Sequence, residues 1–202
     1  DRRHMQDEDL LQLIKHVQVP FNLELAATPE MIELALSTKP NMAMIVPEGR
    51  DEITTEGGLN ILGDIDWLTE VVGCFTGVGI RVSAFVDPDI NQIDAAKSCG
   101  FNVCEIHTGS YAEAVIANVF SLDHDKVLGE LSKISKAVSH VHTLGMLCNA
   151  GHGLTHHNVV KIASIEGISE LHIGHSIVSR SVFVGMRKAV SEMKQQIEKA
   201  NQ

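Results

Sequence analysis

The chain has 202 residues, of which 44% are hydrophobic and 21% are charged, a composition typical of a folded globular protein. The 16 Lys and Arg residues against 26 Asp and Glu give a formal net charge of -10, which disfavours nucleic acid and anionic membrane surfaces as partners. The longest charge-free apolar stretch, near 71–80, is far shorter than the roughly 20 residues of a membrane-spanning helix. Four cysteines without a CxxC pair, and no apolar leader after Asp1, predict reduced thiols and a cytoplasmic location.

Short apolar or β-branched runs alternate with helical patterns along the chain, and each run predicts a strand. The runs cover 22–26, 42–46, 81–86, 102–107, 146–149 and 170–173. Apolar residues spaced three and four apart predict helices between them, one starting near Asp7 and one carrying a stripe over 182–197. Thr28 and Asp87 each precede a proline and an acid, which predicts a capped helix start at both places, and Gly100 predicts a helix stop.

Strands that alternate with helices predict an α/β fold with parallel strands and right-handed crossovers. No linker or low-complexity tract divides the sequence, so residues 1–202 are expected to form a single (β/α) barrel domain. Six predicted strands are fewer than the eight of a TIM barrel, and this leaves an open doubly wound sheet as the alternative.

Chemically capable side chains gather at the downstream ends of the predicted strands, which is where α/β folds place their sites. Glu24 and Glu105 lie inside apolar runs, and His152 follows another. A carboxylate within an apolar strand is costly to bury unless it is paired or put to use. We therefore expect Glu24 and Glu105 to be shielded acids of a site, the alternative being structural acids bonded to a neighbouring base.

Two Gly-His turns, Gly151-His152-Gly153 and Gly174-His175, follow consecutive predicted strands. Glycine lets main-chain N–H groups approach an anion, and a helix start nearby adds a favourable dipole, so the two turns predict one phosphate site. The spacing of His152 and His156 admits a metal site as the alternative, although Gly153 replaces the acid that the metalloprotease pattern requires. The polar loop that contains Thr54 is either a cap over the site or a connector.

Six segments of the chain resemble, in order and spacing, the pyridoxine 5′-phosphate synthase family. They are Asn22-Leu23-Glu24-Leu25-Ala26, Val46-Pro47-Glu48, Thr54-Thr55-Glu56-Gly57-Gly58, Glu105-Ile106-His107-Thr108-Gly109, Asn149-Ala150-Gly151-His152-Gly153-Leu154-Thr155 and Ile173-Gly174-His175. The resemblance implies a (β/α)8 TIM barrel and a homo-octamer. It also implies that 1-deoxyxylulose 5-phosphate condenses with 3-amino-2-oxopropyl phosphate to give pyridoxine 5′-phosphate, inorganic phosphate and water, with no metal or cofactor.

The resemblance also implies a role for each matching residue. Glu24 is similar to the family's general base, His152 to its proton-transferring histidine, and Glu105 to a residue that stabilises the transition state. His4 and Thr54 resemble positions that bind deoxyxylulose phosphate. Positions that hold the aminooxopropyl phosphate are matched by Gly153, Gly174 and His175.

The chain departs from the family pattern at two places. The family's first strand and most of its second have no counterpart before Asp1, so about two barrel strands are expected to be missing. The segment 110–142 is longer than usual and predicts an added outer helix. The departures keep a second class of function open, a truncated barrel acting as an oligomer scaffold or anion binder, and the histidines keep open a metal-dependent hydrolase.

Overall fold

A computed structural model describes residues 2, 4–47, 57–121 and 124–200. Within these residues six strands follow one another in the sheet in chain order. The strands are β1 (Asn22–Leu25), β2 (Met42–Ile45), β3 (Arg81–Val86), β4 (Val103–His107), β5 (Leu147–Gly151) and β6 (Ile168–His172). Each predicted strand is confirmed within two residues at either end, and the predicted α/β fold with parallel strands is confirmed with them.

Helices connect the strands, as a parallel sheet requires. They are α1 (Asp7–His16), α2 (Pro29–Thr38), α3 (Ile65–Gly77), α4 (Ile90–Cys99), α5 (Gly109–Ser121), α6 (His124–Thr143), α7 (Val159–Ala163), α8 (His175–Val184) and α9 (Met186–Lys199), with a 3₁₀ turn at Ile61–Gly63. Two helices, α5 and α6, occupy the long connection between β4 and β5, where the sequence predicts an added helix.

The chain divides into two compact units, one formed by Asp1–Val86 and Asn91–Cys104, the other by Asp87–Ile90 and Glu105–Gln202. In the first unit, β2 pairs in parallel with both β1 and β3, and the register aligns Glu24 with Met44 and Met44 with Ser83. In the second unit, β5 pairs in parallel with β6 and aligns Gly151 with His172. This pairing places the ends of β5 and β6, where the two Gly-His turns begin, side by side.

Each unit has its own apolar core, formed where strand side chains meet the apolar faces of helices. The first core includes Leu23, Leu25, Ala35, Met44, Ile45, Leu68, Val71, Phe75, Val82 and Ile93. The second includes Ile106, Tyr111, Ile134, Val138, Val141, Cys148, Ala150, Val159, Ile162 and Met193. The four cysteines are free thiols, three of them buried and Cys74 exposed on α3. None of the helices in the described ranges is both long and apolar enough to cross a membrane.

The predicted helix signals hold at Thr28 and Gly100 and fail at Asp87. The Thr28 hydroxyl accepts from the Met31 N–H at 3.4 Å, with Pro29 in the first turn, and Gly100 has a φ of +89°. Helix α4, in contrast, begins only at Ile90. The Asp87 carboxylate contacts the His107 ring. The Asp87 carboxylate, which the sequence predicts to cap a helix, is thus hydrogen bonded to the buried His107 ring instead.

The predicted stripe over 182–197 does not form one covered helix. Gly185, with a φ of +82°, separates α8 from α9, because a glycine readily takes a left-handed conformation that ends a helix. Ala189 and Met193 are buried on α9, whereas Val182 and Phe183 on α8 are 80% and 83% exposed. The prediction that the whole stripe is covered is therefore wrong for α8.

Candidate active site

Glu105 is a buried carboxylate at the centre of β4 and is 2% exposed. Its Oε2 contacts Nδ1 of His172, the last residue of β6. The Nε2 atom of the same ring lies 3.2 Å from Oε2 of Glu170, which is on the same strand. His172 therefore lies between two carboxylates, one buried and one exposed. Such pairing is what a carboxylate inside an apolar strand needs in order to stay charged.

The two carboxylates beside His172 favour the charged form of its imidazole. Burial disfavours the cation, but hydrogen bonds and charges from Glu105 and Glu170 outweigh that effect and raise the pKa of His172 from 6.5 to about 9. The pair formed by Glu105 and His172 is consequently a carboxylate against an imidazolium. Glu105 presents a fixed negative group at this end of the sheet, with its other oxygen, Oε1, against Gly151.

A second histidine with a carboxylate partner, His107, lies at the end of β4. His107 is 6% exposed, and its Nδ1 is 2.8 Å from Oδ1 of Asp87. The ring of His107 meets the ring of His152 edge to face, with centroids 4.8 Å apart and an interplanar angle of 64°. This geometry is favourable for aromatic rings. His152 is therefore in direct contact with a buried ring that is itself hydrogen bonded.

The turn after β5 has the left-handed backbone that its glycines predict. His152 and Gly153 have φ values of +79° and +73°. A non-glycine residue such as His152 rarely takes this conformation without outside support. Thr108 supplies that support, because its hydroxyl donates to the main-chain oxygens of Gly151 at 2.8 Å and His152 at 2.5 Å, while its N–H donates to Gly151 at 2.9 Å.

The remainder of this turn is held by the buried Asn158. Its Nδ2 donates to the Gly153 oxygen at 3.1 Å, and its Oδ1 accepts from the Thr155 N–H at 2.7 Å. The Tyr111 hydroxyl donates to the Asn158 main-chain oxygen at 2.8 Å, and burial raises the pKa of Tyr111 to about 12. The turn is thus fixed by one side chain from α5, Tyr111, and by its own last residue, Asn158.

The second Gly-His turn lies against the first. Gly174 caps α8 and His175 is its first helical residue, so the N–H groups of the first turn of α8 point away from the helix. The Ser176 hydroxyl donates to the Leu154 main-chain oxygen at 2.7 Å, which ties the two turns together. A cavity of about 760 Å³ adjoins them, lined in part by His156, His175 and Arg180.

The sequence profile of the family described as "Pyridoxal phosphate biosynthesis protein PdxJ" matches residues 1–199. The chain belongs to this family. A pyridoxine 5'-phosphate synthase from Azoarcus sp. (strain BH72) is 50% identical over 200 residues, which cover 99% of this chain and 80% of the relative. One from Dechloromonas aromatica (strain RCB) is 52% identical over 194 residues, covering 96% and 77%.

Solved structures with a similar fold are more distant in sequence from this PdxJ-family chain. A cube-shaped, highly porous protein cage, designed by fusing symmetric oligomeric domains, aligns with a TM-score of 0.61 at 12% identity over 96% of this chain and 62% of that chain. The citrate synthase SbnG aligns with a TM-score of 0.53 at 14% identity over 95% and 78%. At these identities the similarity concerns the fold alone.

The structure brings together five of the eight site residues that the PdxJ resemblance implies. All five belong to the second unit, Glu105 within β4 and the others in the turns that follow β5 and β6: His152, Gly153, Gly174 and His175. Thr54 lies outside the described residues.

Glu24 and His4 belong to the first unit, and both side chains are exposed. The expectation of a shielded carboxylate is therefore confirmed for Glu105 and wrong for Glu24. The difference follows from the strands that carry them, because the residues of β4 are all buried, whereas β1 alternates between buried and exposed positions.

Three residues of this PdxJ-family site were not predicted as such from the sequence. The sequence gives His172 no role of its own, predicts Asp87 only as a helix cap, and contains His107 in a family segment without a role. Their partners lie 67 and 20 positions away in the chain, so no local spacing reveals them. Among the described residues, no group of three or more His, Cys, Asp or Glu side chains is arranged to hold a metal ion.

Proposed function

We propose that this chain catalyses the condensation of 1-deoxyxylulose 5-phosphate with 3-amino-2-oxopropyl phosphate to form pyridoxine 5′-phosphate, inorganic phosphate and water. The PdxJ family profile and the relatives at about half identity over nearly the whole chain support a pyridoxine 5′-phosphate synthase. The observation that carries the assignment to this site is that the carboxylate of Glu105 on β4 lies against Gly151, the residue before His152. Thr108, which follows β4, hydrogen bonds to the His152 main chain.

The reaction consists of imine formation, enolisation, loss of phosphate and ring closure, and each step moves a proton on a small phosphorylated ketone. Such steps need positioned acid and base groups. In the proposed assignment Glu24 is the general base, His152 transfers protons, and Glu105 stabilises the transition state. The contact with His172 supports this role for Glu105, because a buried carboxylate needs a partner of opposite charge.

The phosphate of the aminooxopropyl substrate is assigned to the two Gly-His turns. Gly153 and Gly174 leave main-chain N–H groups accessible, and α8 begins at His175 with its positive dipole end towards this turn. The bond from Ser176 to Leu154 keeps the two turns at a fixed spacing. His4 and Thr54 are proposed to bind deoxyxylulose phosphate.

We further propose that the six parallel strands are part of a single (β/α)8 barrel domain, closed by about two more strands, in a cytoplasmic homo-octamer. The chain spans 80% of the length of its Azoarcus relative. The mass of the intact protein would decide whether further strands exist, and sedimentation would give the number of subunits. An intact mass equal to that of these 202 residues, or a monomer in solution, would contradict this part of the proposal.

The catalytic assignment is tested by Glu24→Gln and His152→Asn, each assayed for pyridoxine 5′-phosphate from the two substrates. Both variants are expected to lose at least about 100-fold in kcat, since acid–base groups contribute roughly that much or more, while circular dichroism stays unchanged. Glu33→Gln and His16→Asn, at exposed positions on α2 and α1, are the matched controls. Near-normal turnover of either site variant would overturn the assignment, and phosphate binding by a wild type without turnover would favour the anion-binding scaffold instead.

A further inference from the structure

We propose that Asp87 and His107 act together as positioning residues that fix the imidazole ring of His152 for proton transfer. The proposal deepens the function given above and rests on the assignment of His152 as the proton-transferring residue. Neither Asp87 nor His107 is among the residues to which the family resemblance gives a role.

The first step of the argument is the pair itself. The side chain of His107 is almost fully buried, and its Nδ1 lies 2.8 Å from Oδ1 of Asp87. An aspartate carboxylate at neutral pH only accepts hydrogen bonds, so Nδ1 carries the hydrogen and donates it. This bond fixes both the tautomer and the rotation of the His107 ring. It is the arrangement by which a carboxylate orients a histidine in other catalytic sites.

The second step is the contact between the two rings. His107 and His152 meet edge to face at a centroid separation of 4.8 Å. Both rings also pack over the Cα of Gly109, where a Cβ would come within 2.9 Å of Cε1 of His107 and 3.3 Å of Cδ2 of His152. A Cβ so close to His107 would force that ring to shift, so the absence of a side chain at 109 leaves the His107 ring its place against His152. A displaced His107 ring would therefore displace the ring of His152.

The third step concerns the backbone under the His152 ring. Its strained φ of +79° is supported by the bond from the Thr108 hydroxyl to the His152 oxygen. Thr108 and His107 are adjacent in the chain, so one segment holds the main chain of His152 and also packs against its ring. Proton transfer depends steeply on geometry, and a fixed ring contributes to rate without adding affinity. Loss of the Asp87 charge should then lower kcat and leave KM unchanged.

The experiment compares Asp87→Asn with Asp89→Asn in the otherwise unchanged protein. Asp89 lies two residues away on the surface, and asparagine there keeps the ability to cap a helix. Asp87→Asn is expected to lower kcat at least about fivefold, with KM for both substrates within about twofold of wild type, whereas Asp89→Asn should change neither. The ¹⁵N resonances of the His152 ring should shift in Asp87→Asn and stay in place in Asp89→Asn.

The outcomes separate this proposal from the proposed function. If His152 resonances are the same in both variants, or kcat falls less than about fivefold while the wild type is active, the positioning role is overturned. If the wild type makes no pyridoxine 5′-phosphate, the proposed function fails and the resonances alone decide whether Asp87 and His107 hold the ring. Should Asp87→Asn not fold, His107→Phe keeps the ring packing without Nδ1 and is judged by the same kcat and resonance criteria.

Discussion

Glu105 and His172 are 67 positions apart in the chain and in direct contact in the sheet. A carboxylate within an apolar run can be recognised from the sequence, because its burial requires a partner. The partner itself cannot, because the pairing of β5 with β6 and the course of β4 determine which side chain reaches it. For this reason the sequence predicts Glu105 and His152 as site residues and leaves His172, His107 and Asp87 without their roles.

The pKa of His172 predicts a pH-dependent contribution to stability. Because it is raised from 6.5 to about 9 in the folded protein, the ring stabilises the fold fully below about pH 6.5, and this contribution is lost as pH rises towards 9. His172→Gln should therefore lower the free energy of unfolding by up to about 3 kcal/mol near pH 6. The difference from wild type should shrink steadily between pH 6.5 and 9 in denaturant titrations.

A matched control for this prediction is His157→Gln, at an exposed position on the turn before α7. Its free energy of unfolding should differ from that of the wild type by less than about 0.5 kcal/mol, and the difference should not shrink between pH 6.5 and 9. A constant difference for His172→Gln across pH 6 to 9 would contradict the assignment of an imidazolium paired with Glu105.

The glycine at 151 predicts a second effect at the residue scale. A Cβ on Gly151 would overlap Oε1 of Glu105 and come within 3.0 Å of the His172 main-chain oxygen. Gly151→Ala should therefore destabilise the protein by about 1–3 kcal/mol and reduce turnover, because the strand end and the acid must both shift. In contrast, Gly129→Ala on α6, where a Cβ meets nothing within 4 Å, should stabilise by up to about 1 kcal/mol. Equal melting temperatures for the two variants would argue against this packing.

At the scale of secondary-structure elements, the apolar runs predict the six strands, and the capping residue Thr28 predicts the start of α2. Local signals fail where a distant partner or a single backbone conformation intervenes. Asp87 begins no helix because His107 takes its carboxylate, and Gly185 interrupts an otherwise continuous apolar stripe with its positive φ. Both failures lie in the second unit, where the site residues of β4 and β5 also are.

The turn from His152 to Asn158 behaves as one element, and its stability depends on Asn158. This side chain is 5% exposed and makes two hydrogen bonds to the turn backbone. Asn158→Ala should lower the free energy of unfolding by about 2–3 kcal/mol, since it leaves buried polar groups without partners. It should also raise KM for the aminooxopropyl phosphate, because the N–H groups proposed to bind phosphate lose their fixed geometry.

Tyr111→Phe is the graded control for this turn, as it removes only the hydroxyl that donates to the Asn158 oxygen. Tyr111→Phe should lower the free energy of unfolding by about 0.5–1.5 kcal/mol and should change KM less than Asn158→Ala does. If Asn158→Ala changed KM less than Tyr111→Phe did, the turn would not be the phosphate element that we propose.

For the molecule as a whole, histidines control the net charge near neutral pH. Asp and Glu outnumber Lys and Arg by ten, and the sequence contains 11 histidines, so protonation of all of them would bring the formal charge close to zero. The calculated isoelectric point of about 5.5 agrees with this balance. The charge that keeps the molecules apart in solution at pH 7 is therefore lost over a narrow range of acid pH.

This balance predicts a solubility minimum close to pH 5.5. Light scattering of the protein, measured from pH 7.5 to 4.5 at low ionic strength, should rise to a maximum near that value and fall again below it, where the net charge becomes positive. The same titration after unfolding in urea would distinguish association of folded molecules from acid denaturation. Scattering that increases only after the circular dichroism signal is lost would contradict the charge argument.

The distribution of the thiols has a practical consequence. Cys99, Cys104 and Cys148 are buried, and burial raises the pKa of Cys104 to about 12, whereas Cys74 faces solvent on α3. A maleimide dye should consequently attach once per native chain, at a known position and without engineering. The three buried thiols would react only when the protein unfolds locally or globally. The number of labels per chain therefore also measures how often the chain unfolds.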